Sequence, residues 1–280
     1  MEFLRVVEVF PPLFPSSKAE DSLGVEERME RFVKEVRAVR SFADLFLVAD
    51  VKDTRFLKLS TIEAASILQE HLGVSAAPVI VVRDMNRPQF LSSVLTAIAK
   101  GLGSVMLAWG DDYHTAANVT NFRNFSSLAQ AIEEASTISR RAGSGTRFLA
   151  PVNIAKLSGP GGVTKAKGRL KSGADLLLAQ PPTTDAPETF EKHASALREN
   201  GLTEKVLLNV FPFRDESDVR QCEESFGWEL PRSLRREAAA GEQSLLEAAK
   251  SVVRRLREER FPGVYLATRG DPGVAQLLLS

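Results

Sequence analysis

Eight short apolar runs, each rich in β-branched residues and closed by polar, Gly or Pro punctuation, recur along the chain and constrain the fold more than anything else in it. They are Phe3 to Phe10, Leu45 to Val51, Val79 to Val82, Ser104 to Trp109, Phe148 to Val152, Asp175 to Ala179, Val206 to Val210 and Gly263 to Thr268. Runs of this length and composition read as buried parallel strands. Amphipathic helical stretches separate them: Val25 to Ser41, Thr61 to His71, Gln89 to Gly101, Ser126 to Arg141, Val163 to Ser172, Pro187 to Asn200, and a longer region from Asp215 to Glu259. Helix punctuation agrees, with Ser60-Thr61 ahead of Glu63 at one start and Gly101, Gly173 and Gly201 after three ends. Strict alternation of eight strands with helices predicts a closed (β/α)8 TIM barrel, residues 1–280 forming one catalytic domain with extra helices between strands seven and eight.

The length of 280 residues suits such a barrel, for which roughly 250 is usual. Thirty-six basic residues balance thirty-six acidic ones, which removes the electrostatic case for a nucleic-acid or anionic-membrane partner. No apolar stretch approaches the ~20 residues that span a bilayer, and MEFLRVVEVF at the start does not read as a leader. The only cysteine is Cys222, so no internal disulfide forms and a reducing, cytoplasmic setting is expected. The sequons at Asn118 and Asn124 then carry no meaning.

In β/α barrels the chemistry gathers at the C-terminal ends of the strands, so polar residues there are the candidates. They are Glu8, Asp50, Arg83 and Asp84, Trp109 to Asp112, Asn153, Gln180, the Phe211-Pro212-Phe213 segment and Arg269. Glu8 stands out. A carboxylate inside an apolar strand costs several kcal/mol unless paired or protonated, and burial raises its pKa toward that of a useful general acid. The competing reading pairs it with a base at the mouth, Arg83 for instance. Asp111 and Asp112 occupy a Gly-bearing turn with His114 nearby, yet the spacing matches no recognised metal-ligand set, and no metal is expected. His71 and His193 read as surface or helix-face residues. Gly159-Pro160-Gly161-Gly162 precedes a helix and could offer N–H groups to a phosphate, or serve as a plain loop. The Arg232 to Arg260 stretch, interleaved with glutamates, reads as a solvated helical face.

Four segments in order resemble the methylenetetrahydrofolate reductases. EVFPP at Glu8 to Pro12 is similar to that family's EFFPP opening. RDMNRP at Arg83 to Pro88 and LAWGDD at Leu107 to Asp112 are similar to its third and fourth strand ends, and KSGADLLLAQ at Lys171 to Gln180 resembles its KxxAGAxxxxTQ pattern. The resemblance implies a cytoplasmic oxidoreductase of one-carbon metabolism and methionine biosynthesis. Such an enzyme reduces a 5,10-methylene-tetrahydropterin to the 5-methyl form, with NAD(P)H as hydride donor and FAD as the family's cofactor. It also implies roles: Glu8 as the acid, Asp111 as the carboxylate tuning the reaction, Gln180 and Phe213 on the substrate side, and Trp109, Gly110, Asp111 and Arg169 on the cofactor side.

The match thins at the flavin. Polar residues that hold FAD in the family correspond to Ala49, Val79, Trp109 and the neighbourhood of Pro151. Either FAD is held by different groups, or hydride passes directly from NAD(P)H without flavin, or another subunit supplies the electrons, and two other readings of the chain stand beside the reductase. One is a partner-dependent or non-catalytic pterin-binding subunit; the other is an unrelated barrel enzyme, such as a lyase acting on a phosphorylated substrate at the GPGG loop. The resemblance leaves open folate against a methanopterin-type carrier, NADH against NADPH, and whether the chain forms a homo-oligomer.

Overall fold

The computed structural model describes residues 2–15, 23–51, 56–110, 124–184, 186–226, 228 and 230–280. In chain order the elements are β1 (Leu4–Val9), β2 (Leu13–Pro15), α1 (Val25–Val39), β3 (Leu45–Val48), β4 (Phe56–Lys58), α2 (Thr61–Leu72), β5 (Ala76–Val81), α3 (Arg87–Ala99), β6 (Ser104–Ala108) and α4 (Leu128–Arg141). There follow β7 (Arg147–Asn153), α5 (Pro160–Lys171), β8 (Ala174–Gln180), α6 (Pro187–Glu199), β9 (Val206–Val210), α7 (Glu216–Phe226), α8 (Arg232–Ala240), α9 (Glu242–Glu258), β10 (Gly263–Leu266) and α10 (Val274–Leu279).

Eight strands close into a parallel barrel in the order β1, β10, β9, β8, β7, β6, β5, β3, with β1 paired to both β10 and β3. Along most of their length the barrel strands are buried on both faces, and β3, β5, β9 and β10 are so throughout. Alternate residues such as Val6, Leu47, Val79, Met106, Leu207 and Tyr265 gather in one cluster that fills the lumen. The residues between them, among them Val7, Phe46, Ile80, Phe148 and Leu208, pack outward with helix residues such as Phe32, Phe90 and Leu256. Two-sided burial explains why the runs are apolar throughout rather than alternating, and each fully buried aromatic or aliphatic side chain contributes about 1.5–3 kcal/mol.

Closure is tight where β10 meets β1. Gly263 lies opposite Leu4, and a Cβ there would sit 2.0 Å from the Leu4 carbonyl oxygen. Beside it Arg5 holds Asp44 at 2.7 Å, tying the start of β1 to the segment entering β3. The expected extra helices between the seventh and eighth barrel strands are α7 and α8, ahead of α9. Their Val219, Cys222 and Leu234 join Phe211 and Phe213 in the same cluster that fills the lumen, so the insert is seated on the end of β9. Two features were not foreseen: the short antiparallel pair β2–β4 and the terminal helix α10. A three-residue strand ending in proline and a six-residue helix are too brief to show as a period. No helix among the described residues is long and apolar enough to cross a membrane.

Candidate functional site

Glu8 is the fifth of the six residues of β1, and strand alternation turns it inward with Val6. Val6 is in register with Tyr265 on β10, so Glu8 sits one layer nearer the C-terminal mouth. The Tyr265 hydroxyl donates to Glu8 Oε2 at 2.7 Å. The chain leaving β10 wraps the same residue: Thr268 Oγ1 donates to the Glu8 carbonyl at 2.8 Å, and the Gly270 N–H donates to Thr268 Oγ1 at 3.3 Å.

Burial of the Glu8 carboxyl pushes its pKa up. The hydrogen bond from Tyr265 and the backbone N–H groups of Arg269 and Thr268 pull it back and do not cancel the rise. Burial and the neighbouring carboxyl likewise push the Tyr265 phenol well above its usual value. Glu8 retains a partial opening to solvent while Tyr265 is 2% exposed. A carboxyl favoured in its acid form, braced by a buried phenol and open toward the mouth, can give a proton to a bound molecule and recover it from water.

The structure sorts the other expected positions. Asp111, with Asp112, His114 and Asn118, lies outside the described residues. Gly110 follows β6 at φ +96°, a turn that favours glycine. Trp109 is next to it but packs outward against the helix-side cluster, so its ring does not occupy the lumen. Gln180 ends β8 in an exposed position, paired in register with the equally exposed Asn153 of β7. Phe213 is 5% exposed and lies 4.6 Å from the Phe211 ring, part of the seat of the helical insert rather than of an open substrate face. Arg169 donates to the Pro151 carbonyl, tying α5 to β7, and burial lowers its pKa.

Glu8 takes Tyr265 as its partner, not Arg83, which is itself buried at the end of β5. Asp50 pairs with Lys58, and Arg269 pairs with Asp218 while its guanidinium stands 5.6 Å from the Phe211 ring centre. His193 corrects the surface reading: it is 4% exposed in α6, its Nδ1 is 3.0 Å from Thr183 Oγ1, and burial lowers its pKa to about 4. In the GPGG segment Gly159 caps α5 and its carbonyl receives the N–H groups of Gly162 and Val163. Gly162 has a packing reason as well, because a Cβ there would meet the Lys156 carbonyl oxygen at 2.0 Å. Among the described residues no three His, Cys, Asp or Glu side chains converge as a metal ion requires.

Two groups escaped the sequence reading. Tyr265 sits inside the eighth apolar run, and Asn209 inside the seventh, VLLNV, where it is 1% exposed and in register with Tyr265. The signal that selected Glu8, a polar residue within an apolar strand, was present at both.

No family model matches the chain, and no curated protein matches it. Solved structures do. It is similar to oxaloacetate acetylhydrolase at TM-score 0.53 and 13% identity, covering 95% of this chain and 75% of that one. Against the same enzyme named in complex with 3,3-difluorooxalacetate the values are 0.52 and 12%, over 95% and 75%. Phosphoenolpyruvate phosphomutase from Streptomyces platensis subsp. rosaceus gives 0.52 and 12%, over 99% and 80%. At these identities the likeness is one of fold.

These findings correct the family reading. The fold neighbours are a hydrolase and a mutase, and the model of the methylenetetrahydrofolate reductases is not matched. The assignment as an NAD(P)H-dependent reductase of a tetrahydropterin falls, and with it the FAD, the nicotinamide donor, the place in methionine biosynthesis and the pterin-binding subunit. The physical reason lies in what three of the four segments do; the fourth, EVFPP, carries Glu8 at the end of β1. Asn86 of RDMNRP caps α3 by accepting from the Gln89 N–H at 2.9 Å, Gly110 of LAWGDD makes a left-handed turn, and Gly173 of KSGADLLLAQ turns at φ +111° against Ser136. They are caps and turns that a β/α barrel needs whatever its chemistry.

Proposed function

We propose that the whole chain acts as one barrel enzyme of the lyase or hydrolase class, cleaving a carbon–carbon bond next to a carbonyl in a short oxo-carboxylate, with Glu8 as the general acid. The observation that carries the reading is the Glu8 carboxyl itself, raised in pKa by burial at the barrel mouth and braced at 2.7 Å by Tyr265. The fold likeness supports the substrate class, since oxaloacetate and phosphoenolpyruvate, named for two of the neighbours, are both short carboxylates. The balanced charge of the chain and its buried thiol suit a small-molecule partner in the cytoplasm.

In this reaction the breaking C–C bond leaves its electron pair on the carbon beside the carbonyl, as an enolate. The proton on Glu8 moves to that carbon. The far carbon of that bond carries a hydroxyl, the substrate's own in a lyase or one from water added to its carbonyl in a hydrolase. This hydroxyl gives its proton to water and becomes a C=O, so the other fragment leaves as a carbonyl compound or as an acid. The resulting Glu8 carboxylate is held by the Tyr265 hydroxyl and by the N–H groups of Thr268 and Arg269 until water at the open side returns the proton.

Glu8→Gln keeps the shape and the acceptor for Tyr265 but has no proton to give. Wild-type protein and the variant are incubated with oxaloacetate and other short 2-oxo and 2-hydroxy acids, and products are followed by NMR. Wild type is expected to cleave at least one of them, and the variant to lose about 10²–10⁴-fold in turnover. Equal turnover in the variant, or no cleavage of any of these acids by wild type, overturns the proposal.

A further inference from the structure

Asn209 is the fourth of the five residues of β9, in register with Tyr265 of β10, and its own carbonyl receives the Thr183 N–H at 2.8 Å. Its neighbours by alternation, Leu207 and Phe211, belong to the lumen cluster, so the carboxamide faces the same interior as Tyr265. The side chain is 1% exposed, yet among the described residues neither Nδ2 nor Oδ1 has a hydrogen-bond partner. Each unmet buried polar atom costs about 1–3 kcal/mol. A leucine would fill the space without that cost, and no described residue uses the amide.

From this we infer that Asn209 is a specificity-determining residue at the floor of the mouth, one layer below Glu8, and that it selects an enolisable oxo acid over a phosphate ester. The inference rests on the oxo-carboxylate reading above and deepens it. A carboxamide offers one donor edge and one acceptor edge. The oxo oxygen of the substrate, and the enolate oxygen it becomes, accepts from the Nδ2 N–H, and the hydroxyl on the far carbon of the breaking bond donates to Oδ1, so both edges are used in the course of one reaction. A phosphate dianion brings acceptors alone and would leave Oδ1 unmet.

The test is the affinity of pyruvate for wild type, Glu8→Gln and Asn209→Leu by calorimetry, with thermal unfolding of each. Asn209→Ser stands in if the leucine variant does not fold. The expected result is binding to wild type and Glu8→Gln, binding weaker by about tenfold or more in the Asn209 variant, and a melting temperature that does not fall. Unchanged pyruvate affinity in the Asn209 variant overturns the inference while leaving the role of Glu8 standing, and a fall in melting temperature without loss of affinity does the same by making the amide structural. Absence of binding to wild type defeats the oxo-carboxylate reading itself, and the inference falls with it.

Discussion

Replacing Glu8 by glutamine should make the protein more stable, and increasingly so as pH rises. Burial raises the Glu8 pKa in the folded chain above its value of 4.5 in an open peptide, even against three hydrogen bonds that favour the charged form. A raised folded pKa means that the native state binds its proton more tightly than the unfolded state. Below pH 4.5 both states are protonated and Glu8 imposes no ionisation penalty. Above it the unfolded chain gains free energy by ionising while the folded one cannot, so stability falls until the pH reaches the folded pKa. Each unit of rise costs about 1.4 kcal/mol. Glutamine removes this cost, keeps the volume and still accepts from the Tyr265 hydroxyl. Urea unfolding of both proteins from about pH 4 to about pH 9 should give two curves that separate above pH 4.5 in favour of the variant and become parallel again at the folded pKa of Glu8. The final gap, divided by that cost per unit, measures the rise. Curves that stay parallel across the whole range would show that the Glu8 carboxyl is not raised, and the assignment of Glu8 as a proton donor would lose its physical basis.

Tyr265→Phe removes the hydroxyl that favours the Glu8 carboxylate, so the basic limb of the pH–activity profile should move to higher pH, with a loss of about 1 kcal/mol in stability; an unmoved limb would separate the phenol from the acid's function. His193 is held neutral by burial, with a pKa of about 4 against 6.5 in the open chain. Its contribution is present above pH 6.5 and is lost as pH falls toward 4, by about 3 kcal/mol in all. Unfolding of wild type and His193→Gln over that range should show a steeper acid loss in wild type, and equal slopes would refute it.

The barrel was legible because burial on both faces forces a parallel strand to be apolar along its length, a pattern that survives without any alignment. Val206–Val210 is bounded alike in sequence and structure. The strand expected from Val79 begins instead at Ala76, since Ala76, Ala77 and Pro78 lack the bulk and, for Pro78, the N–H that mark a strand, although Pro78 sits in register with Val48. Glu8 was legible for the opposite reason, as a charge where the pattern demands none. Its partner was not, because Tyr265 stands 257 residues away and meets it only when β10 closes on β1.

Three of the four segments that suggested a reductase teach the harder lesson. Asn86, Gly110 and Gly173 lower the energy of this fold, by capping a helix or adopting a left-handed turn. Any chain that must build the same turns gains from the same residues, so their agreement in order and spacing measures a shared architecture. Glu8 and Asn209 do the reverse. A carboxyl whose pKa burial raises and an amide with neither edge met cost the folded state free energy, and the hydrogen bonds on Glu8 recover only part of it. Residues that the fold would be more stable without are the ones whose presence needs a substrate to account for it. The chemistry of this barrel is therefore to be sought from Glu8 and Asn209 inward, not from the turns that surround them.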